Sequence, residues 1–356
     1  MAIAAWSTIT PLEHPALNML KLEGEFPLAP KTPVKIQRDD LFDQTRNEQM
    51  FSRLMAPIAE KLKGFNYRVF ETVVWVRGGN ESCIDELRSS LERLGVDCAS
   101  TCKVEYSTTC PDYTLISKWV NMPDYRVENR LIVIVDLHDD SNDLKCMENA
   151  CAILLTNHYV REEGEKPVYL YQPMSGVTDV EEKMPVYLEA GSVLMPRMLW
   201  YTGLSRIEKY PLMQALDENG QAAERLDMDA SFGEQSPGYR WLALAADAVK
   251  YAQGEQLVAS SEKNKFSIAA LSSRRTCIPA NLVWGTWSNP LLPAGMAALF
   301  CVFSLFTYQI SFSAKNDAPS LWGLVASIII PLIVFTGVGI FAYMFKTNEA
   351  YKDMGY

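Results

Sequence analysis

Histidine is scarce in this chain: 356 residues contain three, His14, His138 and His158. Imidazole is the usual base, proton shuttle and metal ligand near neutral pH, so few positions can support that chemistry. No GxSxG elbow surrounds Ser175 or Ser205, which removes the common hydrolase nucleophile. There is no GxGxxG or Walker A loop, and no motif implies a cofactor. No repeat and no low-complexity tract is visible. Met1–Trp6 carries no basic residue, and Pro11 and Glu13 interrupt any apolar run, so no secretory signal is expected. A positive balance is missing as well. The net charge of −10 repels phosphate backbones, which excludes nucleic acid as a partner, and argues against the bulk of the chain lying flat on anionic lipid.

Charge is absent altogether from two stretches near the end, Leu291–Ile310 and Leu321–Phe345, of twenty and twenty-five residues. At about 1.5 Å rise per residue, either crosses a hydrocarbon core of ~30 Å. The pair predicts a C-terminal transmembrane hairpin with a short loop, Ser311–Ser320. Lys263, Lys265, Arg274 and Arg275 precede the first span, and Lys346 and Lys352 follow the second. The loop holds only Lys315, balanced by Asp317, so both termini are expected in the cytoplasm. Trp284, Trp287, Trp322 and Tyr343 suit membrane-interface positions. With no ionisable residue inside, the spans read as an anchor rather than a pathway. Ala294/Ala298 and Gly323/Ser327 are small residues that let the helices approach, and Pro331 with Gly337 and Gly339 predicts a bend.

The rest is globular in composition, 48% hydrophobic and 21% charged. Five segments are expected: a Pro-rich N-terminal arm (1–38), a cytoplasmic mixed-sheet α/β domain (39–260), a juxtamembrane linker (261–289), the hairpin (290–346) and a cytoplasmic tail (347–356). Apolar spacing predicts a helix over Asp39–Lys63, capped at Asp39 or Asp40, split by Pro57 and stopped at Gly64. Further helices are expected at Ser82–Leu94, Ile207–Asp217 and Tyr239–Gln253. Strands are expected at Arg68–Val76, Val104–Tyr106, Leu131–Asp136, Pro167–Tyr171 and within Val186–Tyr201. Leu131–Asp136 is apolar without alternation, as in a strand buried on both faces. Met147–Thr156 fits either a helix or a strand, and 217–238 reads as a long exposed loop. Alternating strands and helices place the chain in the α/β or α+β class.

Four candidate sites emerge. Asp136, His138, Asp139 and Asp140 follow a buried strand, where ligands gather in open α/β sheets, and suit a divalent metal such as Mg²⁺; the plainer reading is an acidic turn capping the next helix. Arg77, Gly78 and Gly79 lie between strand and helix, where backbone N–H groups with an arginine suit phosphate, or simply a turn. Cys98, Cys102 and Cys110 have partial zinc-like spacing but no evident fourth ligand, Cys83 lying well upstream. Cys146 or Cys151 meeting His138 or His158 would supply a thiol and a base. The eight cysteines otherwise read as reduced thiols, one of them, Cys301, inside a span. Met174–Asp179 and Ser231–Gly238 read as turns or partner-contact loops.

The succession VVWVRGGNE, RLIVIVDLHDD with ACAILL, LWYTGLSRI and GYRWLALAADA, then two spans, resembles inner-membrane accessory proteins found with type VI secretion effectors in proteobacteria. The resemblance implies a cytoplasmic α/β domain on a bacterial inner-membrane anchor, acting as adaptor or immunity protein through a protein partner. The same alternation resembles a thiolase-type layered domain, whose small-residue nucleophile loop and paired histidines have no counterpart here; that resemblance implies a fold without the chemistry. The resulting expectation is a membrane-anchored protein-binding module, with a metal-dependent enzyme at Asp136–Asp143 and a structural membrane subunit as the other readings.

Overall fold

The computed structural model describes residues 1–32, 34–39, 43–64, 70–96, 103–120, 129–138, 146–157, 166–190, 193, 196–218, 223–233, 240–275, 291–316 and 321–353. The chain divides into Met1–Arg275 and Thr276–Tyr356.

Among the described residues the first unit carries eleven strands, ten of them in two matching sets. One set is β1 (Ala2–Ile9), β2 (Phe70–Val76), β3 (Lys103–Tyr106), β4 (Asn129–Asp136) and β5 (Asn149–Thr156). The other is β6 (Val168–Leu170), β8 (Pro196–Thr202), β9 (Glu224–Asp227), β10 (Glu255–Glu262) and β11 (Lys265–Ser272), with β7 (Met174–Val177) added on β11. Spatial order runs β3-β2-β4-β5-β1-β6-β11-β10-β8-β9. Reading inward from either end gives the same pattern. Two parallel pairings come first, β3–β2 and β2–β4 or β9–β8 and β8–β10. An antiparallel hairpin follows, β4–β5 or β10–β11. Each hairpin then pairs antiparallel with its half's first strand, β1 or β6, and those two meet at the centre. The fold is therefore a duplication in topology, although no repeat is visible in sequence.

Strand alternation sorts the core into layers, because successive side chains point to opposite faces. Leu131, Val133 and Val135 pack with Leu54, Leu87 and Leu91 on the outer helices α2 (Arg46–Met55) and α4 (Cys83–Arg93). Ile132 and Ile134 face the other way, onto α5 (Tyr113–Val120) and α9 (Arg240–Lys250). In the second half Leu257 and Ala259 meet Met184, Leu188, Leu212 and Leu216 of α6 (Val180–Ala190) and α7 (Arg206–Glu218), while Val258 faces α9. In α9, Trp241–Ala246, Ala248 and Val249 are all buried, as a helix apolar on every side must be. Its core residues share one cluster with both sets of strands, giving five layers, α/β/α/β/α.

Several sequence expectations change here. β1 lies within the expected Pro-rich arm, yet it is a central strand. α2 starts at Arg46, because Thr45 forms a capping box with Glu48, rather than at Asp39 or Asp40. Pro57 breaks the helix, as expected, through a 3₁₀ turn at Ala56–Ile58 before α3 (Ala59–Lys63). Met147–Thr156 resolves to the strand β5. Val186 belongs to α6, and β8 begins only at Pro196. The expected loop 217–238 contains β9 and α8 (Met228–Phe232).

The second unit has two mutually packed helices, α10 (Leu291–Asn316) and α11 (Leu321–Asp353). Within α10, Ala294–Ser313 is long and apolar enough to cross a membrane, with mean hydropathy 1.6; in α11 the apolar stretch is Val325–Phe341. Trp322 and Tyr343 lie in α11, while Trp284 and Trp287 fall outside the described residues.

Candidate functional site

In the first half, β2 and β4 run parallel and in register, Val76 beside Val135, so whatever follows them gathers at one edge. Arg77 is the first residue past β2 and Asp136 the last of β4. The backbone N–H of Arg77 donates to the Val135 carbonyl at 3.0 Å. Its guanidinium grips Asp136 twice, Nε with Oδ1 and Nη2 with Oδ2, the second at 3.0 Å. Asp136, almost fully buried, raises the Arg77 pKa through that bond. The guanidinium also lies 5.8 Å from the Trp75 ring centroid.

Two residues further on, His138 is 2% exposed. Its Nε2 stands 3.2 Å from the sulfur of Cys146, itself 3% exposed. The β4–β5 hairpin explains the meeting. Asp136 pairs with Asn149, so chain positions just beyond that rung face one another across the hairpin mouth. Burial pushes the imidazole below its ordinary value near 6.5, against the opposing pull of Glu148 and Asp136. Loss of charge is thereby favoured on the ring, and its Nδ1 is buried without a hydrogen-bond partner among the described residues.

Glu148, fully buried, organises the surroundings. One oxygen accepts the His138 backbone N–H at 2.7 Å and the other the Ile36 N–H at 2.6 Å. Arg46 Nη2 reaches both oxygens, at 2.8 and 2.6 Å, while its Nη1 donates to the His138 carbonyl at 3.2 Å. Such a carboxylate is tolerable inside a protein because every lone-pair direction is used. A strap of N-terminal chain crosses the same edge. Ala29 N–H donates to the Ala230 carbonyl at 2.8 Å, and Val34 N–H to the Cys146 carbonyl at 3.3 Å. Glu148 N–H returns a bond to the Val34 carbonyl at 2.9 Å, and Met147 N–H reaches the Phe232 carbonyl at 2.8 Å. Through Ala230 and Phe232 of α8, the two halves meet beside the thiol.

A second thiol, Cys110, is half-buried three residues before α5. Arg77 feels both sulfurs electrostatically, Cys146 more than Cys110. The matching edge of the second half differs. Thr202 Oγ1 and the Gly203 N–H donate to Asp229 at 2.6 and 2.7 Å, and Lys209 Nζ to Asp227 at 2.6 Å. That edge is a closed network of hydroxyl, carboxylate and ammonium groups.

Among the sequence candidates, the structure joins Arg77 to Asp136 and His138 to Cys146, two partnerships across separate motifs. The expected metal site is not supported by its described members. Asp136 is committed to Arg77, and no group of three His, Cys, Asp or Glu side chains able to hold a metal occurs among the described residues. Asp139 and Asp140 fall outside them. Nor does Arg77-Gly78-Gly79 form a phosphate cradle: the guanidinium is occupied, and a Cβ on Gly79 would lie 2.8 Å from Val76 Cβ and 2.9 Å from Cys83 Sγ. Gly78 has φ 67°, so this is a tight turn that needs glycine. Cys98, Cys102 and His158 lie outside the described residues, and Cys151 is a core residue of β5. Sequence reading missed Arg46 and Glu148. Their signal was only a buried acid in an otherwise apolar strand entry.

No protein-family model matches the chain, and no curated protein does. Solved structures do. A type II polyketide acyl-carrier protein in complex with its ketosynthase has a chain 10% identical, with TM-score 0.54 over 76% of this chain and 98% of that one. The oxazolomycin ketosynthase domain of Streptomyces albus is 11% identical, with TM-score 0.49 over 77% and 95%. OleA of Xanthomonas campestris is 12% identical, with TM-score 0.43 over 76% and 98%. The reading as a secretion accessory or immunity protein is overturned, because the structure most like the chain by TM-score among these three is that of a ketosynthase. With the duplicated five-layer topology, the likeness identifies the fold of residues 1–275 as thiolase-like, the architecture of the ketosynthases.

Proposed function

We propose that this chain is a membrane-tethered acyl-transfer enzyme of the thiolase-like fold, acting on acyl groups carried as thioesters. One observation carries the reading: β3, β2 and β4 run parallel and β5 starts from the same edge, so Cys110 past β3, Arg77 past β2 and Cys146 before β5 all lie toward the carboxyl edge of the first half. Acyl transfer between thiols needs a sulfur nucleophile and a positive or hydrogen-bonding environment for the charge that develops on sulfur and oxygen. The matching edge of the second half has no thiol among its described residues, so chemistry on the first is favoured.

The donor is a thioester of coenzyme A or of an acyl-carrier protein; a carrier protein accompanies the ketosynthase in one of the similar structures. α10 and α11 form the tether, a transmembrane hairpin in the bacterial inner membrane with both termini cytoplasmic. Support comes from the apolar length of α10 and from the basic residues flanking the hairpin. Fatty acyl substrates partition into bilayers, so a tethered catalyst meets them at high local concentration.

The test uses full-length protein in mild detergent, with octanoyl- and palmitoyl-coenzyme A as donors and release of coenzyme A thiol as the readout. Release that is abolished in a Cys110→Ser/Cys146→Ser double variant supports the reading. A rate no greater than that of the double variant contradicts it. Alkaline carbonate extraction tests the tether: the protein stays with the membrane pellet, whereas recovery in the supernatant refutes it.

A further inference from the structure

We propose that Cys146 and His138 form a nucleophile–base pair, which takes the acyl group of a thioester onto Cys146 Sγ. The inference rests on the acyl-transfer reading above and assigns the nucleophile within it. Four observations support it.

The contact itself comes first. Sγ lies 3.2 Å from His138 Nε2, within the reach that lets a base take a proton from a nucleophile. Second, burial lowers the imidazole pKa and favours the neutral ring, whose Nε2 has a lone pair to offer. With Nε2 accepting, the ring proton sits on Nδ1, which is buried and has no partner among the described residues. A buried polar atom left unsatisfied costs stability, about 1–3 kcal/mol, and such atoms concentrate where a ligand completes them. Third, His138 is held from behind on both sides of its backbone, its N–H by Glu148 and its carbonyl by Arg46. That clamp holds the backbone from which the ring projects and occupies neither ring nitrogen. Fourth, Arg77 places a positive charge at the same edge, held there by Asp136 two residues before His138.

The step balances as a thiol exchange. Cys146 Sγ attacks the thioester carbonyl carbon while its proton passes to His138 Nε2. The carbonyl carbon–sulfur bond to the carrier then breaks, and the same proton leaves with the departing thiol. The products are acyl-Cys146 and a free carrier thiol, with no change in redox state. Cys146 is 3% exposed beneath the strap, so acylation requires the strap to lift. Among the described residues, one isolated bridge, Val34 to Met147, ties the strap to the hairpin as strand.

The experiment incubates full-length protein in detergent with octanoyl-coenzyme A in one arm and an octanoyl-charged carrier protein in the other. Proteolysis at mildly acidic pH, which preserves thioesters, and peptide mass spectrometry follow. The expected result, in at least one arm, is an octanoyl adduct on the peptide containing Cys146. It persists in Cys110→Ser, is absent in Cys146→Ser, and forms at least tenfold more slowly in His138→Gln. The His138→Gln rate loses its dependence on pH around the imidazole titration, a change that mere loss of packing would not produce. An adduct confined to the Cys110 peptide overturns this assignment and leaves the acyl-transfer reading standing. Absence of an adduct in both arms, with thioester consumption no faster than in the double variant, overturns both. Because the map is made on the parent protein, the result does not depend on any variant folding.

Discussion

Replacing Arg46 with alanine isolates what holds the edge together. Glu148 is fully buried, and Arg46, with 27% of its side chain exposed, is its only cationic partner among the hydrogen bonds described. Removing one member of a buried ion pair typically costs about 3–5 kcal/mol, because the other charge is left without compensation. Two backbone N–H groups remain on Glu148, and water reaches the Arg46 side, so the cost falls at or just below the bottom of that range: about 2–3 kcal/mol. At roughly 2–4 °C per kcal/mol for a domain of this size, the melting temperature falls by about 5–10 °C. Thermal unfolding of the full-length protein in detergent, followed by circular dichroism at 222 nm where these helices absorb, measures it. Arg46→Met combined with Glu148→Leu recovers most of the loss, since the pair is then replaced by apolar volume. A single Arg46→Ala variant within about 0.5 kcal/mol of the parent would refute the reasoning, placing Glu148 in contact with water.

Other consequences follow from the same geometry. Because burial lowers the folded-state pKa of His138, the unfolded chain binds the extra proton first as pH falls below about 6.5; the associated stability is complete above that pH and is lost as pH drops toward the lowered folded value. A melting-temperature series should show this slope in the parent and not in His138→Gln, and parallel curves would contradict the assignment. Gly79→Ala forces a methyl against Val76 and Cys83 and should cost about 1–3 kcal/mol in urea unfolding. An unchanged midpoint would show that the turn relaxes freely. Leu242→Ala, a fully buried position of α9, should cost about 2–5 kcal/mol; a loss under 1 kcal/mol would mean that α9 is not the central layer. Val34→Pro removes the N–H that bonds the Cys146 carbonyl. At about 1 kcal/mol for that bond, disulfide-reagent labelling of Cys146 should quicken roughly fivefold, and an unaltered rate would separate access from the strap.

Parts of this molecule are legible in its sequence for physical reasons. Leu131–Asp136 reads as a strand buried on both faces because it lies between two helical layers, and an alternating pattern would have exposed one face. Tyr239–Gln253 reads as an amphipathic helix through Trp241, Leu242, Ala245, Ala246 and Val249, whereas Ala243, Leu244 and Ala248 are buried too because α9 packs against both sets of strands. β1 was hidden because Ala2–Ile9 carries only small or mixed residues and precedes a proline-rich stretch, so its strand character comes from β5 and β6 on either side. Topology can be duplicated without repeating residues, since each half needs only matching apolar faces, and the second half fills its edge with Thr202, Lys209 and Asp229 instead of thiols. The Cys146–His138 contact depends on recognising that Met147–Thr156 continues as β5. Read as a helix, that segment sends the cysteine elsewhere; read as a hairpin partner of β4, its register brings the two residues together.

The measurement that bears most directly on the central claim is the intact mass of the full-length protein after brief exposure to octanoyl-coenzyme A. The account predicts a gain of one octanoyl group, removed by neutral hydroxylamine and absent from the Cys110→Ser/Cys146→Ser variant. An unmodified mass from both donors, carrier-bound and coenzyme-A-bound, in protein that melts cooperatively would contradict it and leave a thiolase-like fold without thiol chemistry.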